Sequence, residues 1–173
     1  NSAEGPDGEV LSGWYMRNAR RPARVAEAHS ETAYMTDRAM QFIEAADGKP
    51  WCLHLSYIKP HWPYIAPAPY NDMFSANQII AAKRHPHERE NPHPVVAAFM
   101  THEDSRNFQS EEVRHTVIPT YMGLIKQIDD HIGLLMAFLE RRGRLDDTMI
   151  VFTSDHGDYL GDHWLGEKEL FHE

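Results

Sequence analysis

Thr148-Met149-Ile150-Val151-Phe152-Thr153, running straight into Ser154-Asp155-His156-Gly157, is the stretch on which the fold assignment turns. Short, apolar and rich in β-branched residues, it reads as a buried strand that ends abruptly in polar groups. Just upstream, Ile118, Met122, Ile125, Ile132, Leu135 and Leu139 fall on one helical stripe, while Lys126, Asp130 and Glu140 face away. Arg141 and Arg142 suit the last turn of that helix, where its dipole favours cations, and Gly143 suits the position just past its end. Pro119 is tolerable only near the start of the helix or at a kink. The same order occurs earlier in the chain. Ser30 is placed to cap a helix with Glu31 in its first turn. Met35, Ala39, Phe42, Ile43 and Ala46 recur at helical spacing, Gly48 supplies the stop, and Trp51-Cys52-Leu53-His54-Leu55-Ser56-Tyr57 follows as a second apolar run. Two buried strands, each preceded by an amphipathic helix, predict an α/β fold: a mainly parallel sheet flanked by helices.

The 173 residues suit one domain, or a large piece of one, and residues 1–173 are read as part of a single α/β unit. With 17 Lys+Arg against 26 Asp+Glu, 17 − 26 gives a formal charge of −9, which argues against nucleic acid as a partner. A single Cys excludes an intramolecular disulfide framework and a Cys-based zinc site, and is compatible with a cytoplasmic location. No apolar run approaches the ~20 residues that span a bilayer, so no membrane partner is expected. The 12 histidines direct attention to metal or acid–base chemistry.

Residues 1–29 show no clean period and read as loop with a short helix at most. Residues 59–70 carry four prolines and must form an extended loop leaving the first strand. Residues 77–109 are polar and rich in His and Pro, with one apolar patch at 95–100, and read as a surface excursion or lid.

In open α/β sheets ligands bind beyond the carboxyl ends of the strands. There the first strand delivers Lys59-Pro60-His61-Trp62-Pro63, and the second delivers Asp155 and His156. A carboxylate and an imidazole leaving the sheet together suit a divalent cation of hard or borderline character, although two ligands alone do not make a site. A strand-end Asp capping a turn beside an exposed His is the blander alternative. The His-Pro cluster from His85 to His93 lacks acidic or thiol partners and reads as loop composition. Asp129 and Asp130 read as an exposed helix face.

The run Thr153-Ser154-Asp155-His156-Gly157-Asp158-Tyr159-Leu160-Gly161-Asp162-His163-Trp164-Leu165-Gly166-Glu167-Lys168 resembles the signature of sulfatases and phosphonate monoester hydrolases of the alkaline phosphatase superfamily. Lys59-Pro60-His61-Trp62-Pro63-Tyr64, with Ala66-Pro67-Ala68-Pro69-Tyr70, is similar to that family's substrate-site loop. The resemblance runs from His29 to the last residue and is weakest over 77–109. It implies an alkaline-phosphatase-like fold, incomplete in this chain. It also implies metal-dependent hydrolysis of a small anionic ester, a sulfate ester or phosphonate monoester, through a covalent intermediate. Asp155 and His156 would be metal ligands, with Ca²⁺ or Mn²⁺ the expected ion. Lys168 would contact the nucleophile and a non-bridging oxygen of the substrate. His61 would lie against the bridging or a charged oxygen and steady the leaving group. His163 would line the substrate pocket, with a turn residue bonded to backbone as its alternative. Family members suggest a homo-oligomer.

The family's nucleophile is a formylglycine made from the Cys or Ser of a Cys/Ser-x-Pro-x-Arg motif, and that motif is absent here. Cys52 is followed by His54 and Ser56 where Pro and Arg should stand, and it reads as a small core residue. Pro22 and Arg24 have the right mutual spacing, but Arg20 occupies the nucleophile position. The family's first-strand aspartate pair is missing as well, and Phe171-His172-Glu173 resembles the approach to a further strand. The chain is therefore expected to be an internal piece of a longer enzyme, without a nucleophile and inactive by itself. A phosphatase or phosphodiesterase of the same superfamily, or a non-catalytic binding relic of the fold, are the alternatives.

Overall fold

The computed structural model describes residues 2–168 and 170. The chain opens with a small antiparallel hairpin, β1 (Ser2–Glu4) and β2 (Val10–Ser12), in which Ala3 stands opposite Leu11. Gly5-Pro6-Asp7-Gly8 makes the turn, closed by a 3.0 Å bond from Gly8 N–H to Gly5 C=O, with Gly8 in the left-handed region that favours glycine. Helix α1 spans Glu31–Ala45, and the Ser30 hydroxyl accepts the Ala33 N–H at 3.1 Å, the cap expected of that residue. Helices α2 (Pro94–Thr101) and α3 (Glu103–Phe108) precede the long α4 (Glu111–Arg141), capped by Ser110.

Helix α4 is the spine. Its buried stripe of Val117, Thr120, Leu124, Ile128 and Leu139 organises most of the core. Near its start Val117 joins Met16, Ala19, Tyr64 and Phe108 in one cluster. Midway, Leu124 packs with Ala66 and Tyr70, and at the far end Phe138 and Leu139 meet Ile43 of α1. Each such apolar side chain taken out of water contributes ~1.5–3 kcal/mol. The approach of α4 to the proline-rich loop is close: a Cβ at Gly123 would stand 2.0 Å from Tyr70 O, so only glycine fits there. Polar bonds fix the same contacts, with Thr120 Oγ1 on Ala19 O at 3.1 Å and Gln127 Nε2 on Ser30 Oγ at 2.9 Å. Buried Pro119 lies inside α4, which continues through the missing N–H.

Sequence expectation and structure differ at four places. The only sheet among the described residues is the two-stranded hairpin, in the segment read as loop. Segments 51–57 and 148–153 are not paired as strands, so the mainly parallel sheet is not seen. The reason is physical: a strand is held by backbone bonds to a neighbour, and neither segment makes any to another described segment. Met149 and Phe152 are accordingly 88% and 78% exposed, and Cys52 is exposed rather than a core residue. Third, 77–109, read as a surface excursion or lid, contains α2 and α3. Fourth, Ile125 and Phe42 of the expected helical stripes face solvent. The reading of Phe171-His172-Glu173 as the approach to a further strand lies outside the described residues.

Candidate active site

The proline-rich segment leaves residues 51–57 and turns sharply. Lys59 reaches back along it, its ammonium donating to Pro63 O at 2.7 Å, and this bond gathers the loop around His61. His61 Nδ1 lies 2.7 Å from Trp62 O, which can only accept, so Nδ1 carries the proton. The other ring nitrogen, Nε2, lies 2.7 Å from Lys168 Nζ. An ammonium has donors only, so in this contact Lys168 donates and the neutral His61 ring accepts.

The second polar segment folds just as tightly. The Ser154 hydroxyl donates to His156 O, and His156 N–H donates to Asp155 Oδ1 at 3.1 Å. His156 Nδ1 lies 2.8 Å from Gly157 O and so carries the ring proton of the neutral form, leaving the Nε2 lone pair free. That Nε2 stands 3.3 Å from Asp155 Oδ2. An imidazole lone pair beside a carboxylate oxygen, both reachable from solvent, fits two ligands of a borderline or hard divalent cation. Among the described residues no group of three or more His, Cys, Asp or Glu comes together to complete such a site.

His61, Asp155, His156 and Lys168 share one cleft of about 1030 Å³. One wall is residues 51–62, another is 148–158, and the floor is the side of α4 that presents Tyr121, Ile128, Ile132 and Leu135. A smaller hollow of about 150 Å³ opens off it, lined by His156, Asp158, Tyr159, Asp162, Glu167 and Lys168. Lys168 and His156 border both. The structure thus brings four of the five expected site residues to one place.

His163 sits elsewhere. Its Nδ1 is 2.6 Å from Glu88 Oε1, its N–H bonds Lys83 O, and it lines neither hollow. Trp164 beside it is sandwiched by Arg84 and Arg89, at 4.5 and 4.9 Å from the ring centroid. Segment 80–93 is therefore strapped to the 158–168 turn. That turn is held from the other side by buried Arg114, which donates to Leu160 O at 3.0 Å and Ile80 O at 2.9 Å. Gly161 makes this clamp possible: its φ is +103°, and a Cβ there would come within 2.7 Å of the Arg114 side chain.

Sequence reasoning missed Asp158. Its Oδ2 accepts the Tyr64 hydroxyl at 2.7 Å and its Oδ1 accepts the Leu160 N–H at 3.1 Å. Burial pushes its pKa up, and these donors offset part of that. Burial, then the Asp158 charge, pushes the Tyr64 phenol far above its ordinary range, and burial pushes Tyr121 to about 12. Glu167 is pushed up by burial first and by the Asp104 charge second. The available signal was a second acidic residue directly following Asp155-His156-Gly157, but nothing in the linear pattern ties it to Tyr64.

The sulfatase family profile matches residues 6–172. Among curated proteins, the chain is 38% identical to the multifunctional alkaline phosphatase superfamily protein PehA of Trinickia caryophylli, over 84% of this chain and 30% of PehA. It is 30% identical to the choline-sulfatase of Rhizobium meliloti (strain 1021), over 96% of this chain and 35% of that enzyme. Among solved structures, the phosphonate monoester hydrolase SpPMH from Silicibacter pomeroyi superposes with a TM-score of 0.80 at 32% identity, covering 94% of this chain and 33% of that one. The fold is thus alkaline-phosphatase-like, and the chain spans only some 30–35% of the length of these relatives. A profile matched along nearly the whole chain, together with these likenesses, shows that the chain belongs to the sulfatase family of the alkaline phosphatase superfamily.

Proposed function

We propose that the whole protein of which this chain is the described part hydrolyses sulfate esters or phosphonate monoesters in a metal-dependent reaction. The observation that carries this reading is the 2.7 Å contact between Lys168 and His61 in the cleft that also holds Asp155 and His156. A sulfate or phosphonate ester is an anionic tetrahedral centre, and attack on it requires positive charge around its oxygens. Lys168 gives one N–H to His61 and keeps two for a non-bridging oxygen. His61, its Nδ1–H anchored on Trp62 O, aims Nε2 at Lys168. A proton held between Lys168 Nζ and His61 Nε2 is then available to the departing ester oxygen. As the nucleophile bonds to sulfur or phosphorus and the ester S–O or P–O bond breaks, the departing oxygen leaves with that proton as the alcohol, and the pair regains a proton from water. A divalent cation, Ca²⁺ or Mn²⁺, held in part by Asp155 and His156, supplies Lewis-acid stabilisation of the same charge.

The nucleophile, a formylglycine in this reading, lies outside this chain, which is inactive by itself. Segments 51–57 and 148–153 become strands of a mainly parallel sheet in the whole protein. That proposal explains why both are extended and apolar yet unpaired. Residues 77–109 form a surface excursion or lid, tied to the 158–168 turn through His163 and Trp164. The likeness to a phosphonate monoester hydrolase structure favours phosphonate monoesters among the substrates, and the acidic charge of −9 is consistent with a small substrate rather than nucleic acid. Among the described residues no helix is long and apolar enough to cross a membrane. A cytoplasmic homo-oligomer remains part of this reading.

Steady-state kinetics of the whole protein with an aryl sulfate and an aryl phosphonate monoester test it. Replacing Lys168 by Ala is expected to lower kcat on the order of 10²–10³-fold, the loss typical of removing one donor to developing charge. Unchanged turnover would overturn the reading, and anion binding without any turnover would point to a non-catalytic relic.

A further inference from the structure

We propose that Asp158 is a positioning residue that sets Lys168 against His61, acting through backbone and phenol contacts rather than by touching substrate; this rests on the reading of the site given above. The carboxylate stands where three segments meet. It follows the Asp155-His156-Gly157 turn directly. Through Oδ2 it holds the Tyr64 hydroxyl at 2.7 Å, across 94 positions of sequence, and Tyr64 ends the loop that presents His61. Tyr159, the neighbour of Asp158, donates its N–H to Glu167 O at 2.9 Å, and Glu167 is the residue that immediately precedes Lys168. The backbone leading into Lys168 is thus tied to the 158–160 turn that the carboxylate orients. The Leu160 N–H, at 3.1 Å from Oδ1, holds the carboxylate itself in one orientation.

Tyr64, the far anchor, is 1% exposed and packs edge-on against Phe108 at 5.9 Å between ring centroids. The framework is therefore rigid where it must be. Without the carboxylate, the Tyr64 hydroxyl and the Leu160 N–H lose a common partner, and the two loops bearing His61 and Lys168 lose their shared reference point. Misplacement of reacting groups by about 1 Å costs on the order of 10²-fold in rate. The effect belongs on kcat, since the alignment of Lys168 and His61 matters most when charge develops.

A double-mutant cycle in the whole protein, on whichever of an aryl sulfate or aryl phosphonate monoester it turns over faster, distinguishes positioning from general support of the fold. Asp158→Asn keeps the size of the side chain but replaces an acceptor oxygen by a donor, and Tyr64→Phe keeps the packing while deleting one bond. Asp158→Asn should lower kcat by on the order of tenfold to a hundredfold with KM little changed, and Tyr64→Phe should lower it in the same direction by less. In a Lys168→Ala background both substitutions should cost no more than about twofold, because the group they position is gone. Equal losses in both backgrounds, or no loss from Asp158→Asn in the natural background, would overturn the proposal alone. If Asp158→Asn does not fold, Tyr64→Phe carries the same cycle: a loss confined to the natural background supports the proposal, and an equal loss in both overturns it. If Lys168→Ala itself leaves kcat untouched, the reading of the site fails and this proposal fails with it.

Discussion

Lys168 Nζ and His61 Nε2 stand 2.7 Å apart although 107 positions separate them in sequence. Neither side chain reaches the other by local structure. One arrives on the turn following Asp155-His156, the other on the proline-rich loop, and Trp62 O fixes which nitrogen of His61 is free to accept. The contact makes His61 part of a charged unit, since the proton it receives comes from an ammonium.

That arrangement predicts a dependence on the leaving group. His61→Ala in the whole protein should reduce kcat by on the order of 10²–10⁴-fold for a phenyl ester, the range for a general acid. The reduction should be much smaller for a 4-nitrophenyl ester, whose departing oxygen needs less help. Equal losses with both esters would show that His61 supports binding rather than departure.

Arg114 is the support under the site turn. It is 3% exposed, and besides its bonds to Leu160 O and Ile80 O it meets Glu111 at 2.8 Å. Arg114→Met should destabilise the protein in urea unfolding by about 1–3 kcal/mol for each carbonyl left without a partner. A change within about 0.5 kcal/mol, as at an ordinary surface position, would contradict this role.

Lys59 gives a pH signature with a definite sign. Burial holds its ammonium below the ordinary value of 10.5, and the Glu31 charge offsets only part of that. The unfolded chain therefore binds more protons than the folded one in the window below 10.5, and stability rises with pH there as the penalty on the charged form is relieved. Lys59→Met should lack that increment. Urea unfolding of both proteins at neutral and alkaline pH measures it: the natural protein should gain on the variant as pH rises, and a constant or widening deficit would contradict the assignment.

Much of this was legible in the chain. Ser30 before Glu31 announced a helix start because a side-chain oxygen there meets an orphan N–H, and it does. The period of residues 118–139 announced α4, but period alone left its facing ambiguous: Ile125 lies in solvent while Val117 and Leu124 form the core. The hairpin was missed because its strands are too short for a period, although Gly5-Pro6-Asp7-Gly8 carried a turn signal. Residues 148–153 read as a strand by composition but carry no ladder here, because pairing depends on neighbours that a local pattern does not name. The motif residues around Asp155 and His61 could be read in order, but their meeting at Lys168, and the role of Tyr64 and Asp158 between them, are facts of three dimensions.

The unpaired segment also yields a test. If 148–153 becomes a buried sheet strand in the whole protein, Phe152→Ala should cost about 3–5 kcal/mol there, as for a core aromatic. A loss below about 0.5 kcal/mol would leave Phe152 at the surface and remove the parallel-sheet proposal.

The central claim is that Asp155 and His156 together hold a divalent cation beside Lys168. Calorimetric titration of the metal-depleted whole protein with Mn²⁺ measures this directly. Loss of a supporting residue around a metal site typically weakens binding by about 10–100-fold, so Asp155→Ala and His156→Ala, each removing a ligand, should weaken it at least that much. Affinity unchanged in both variants would contradict the account.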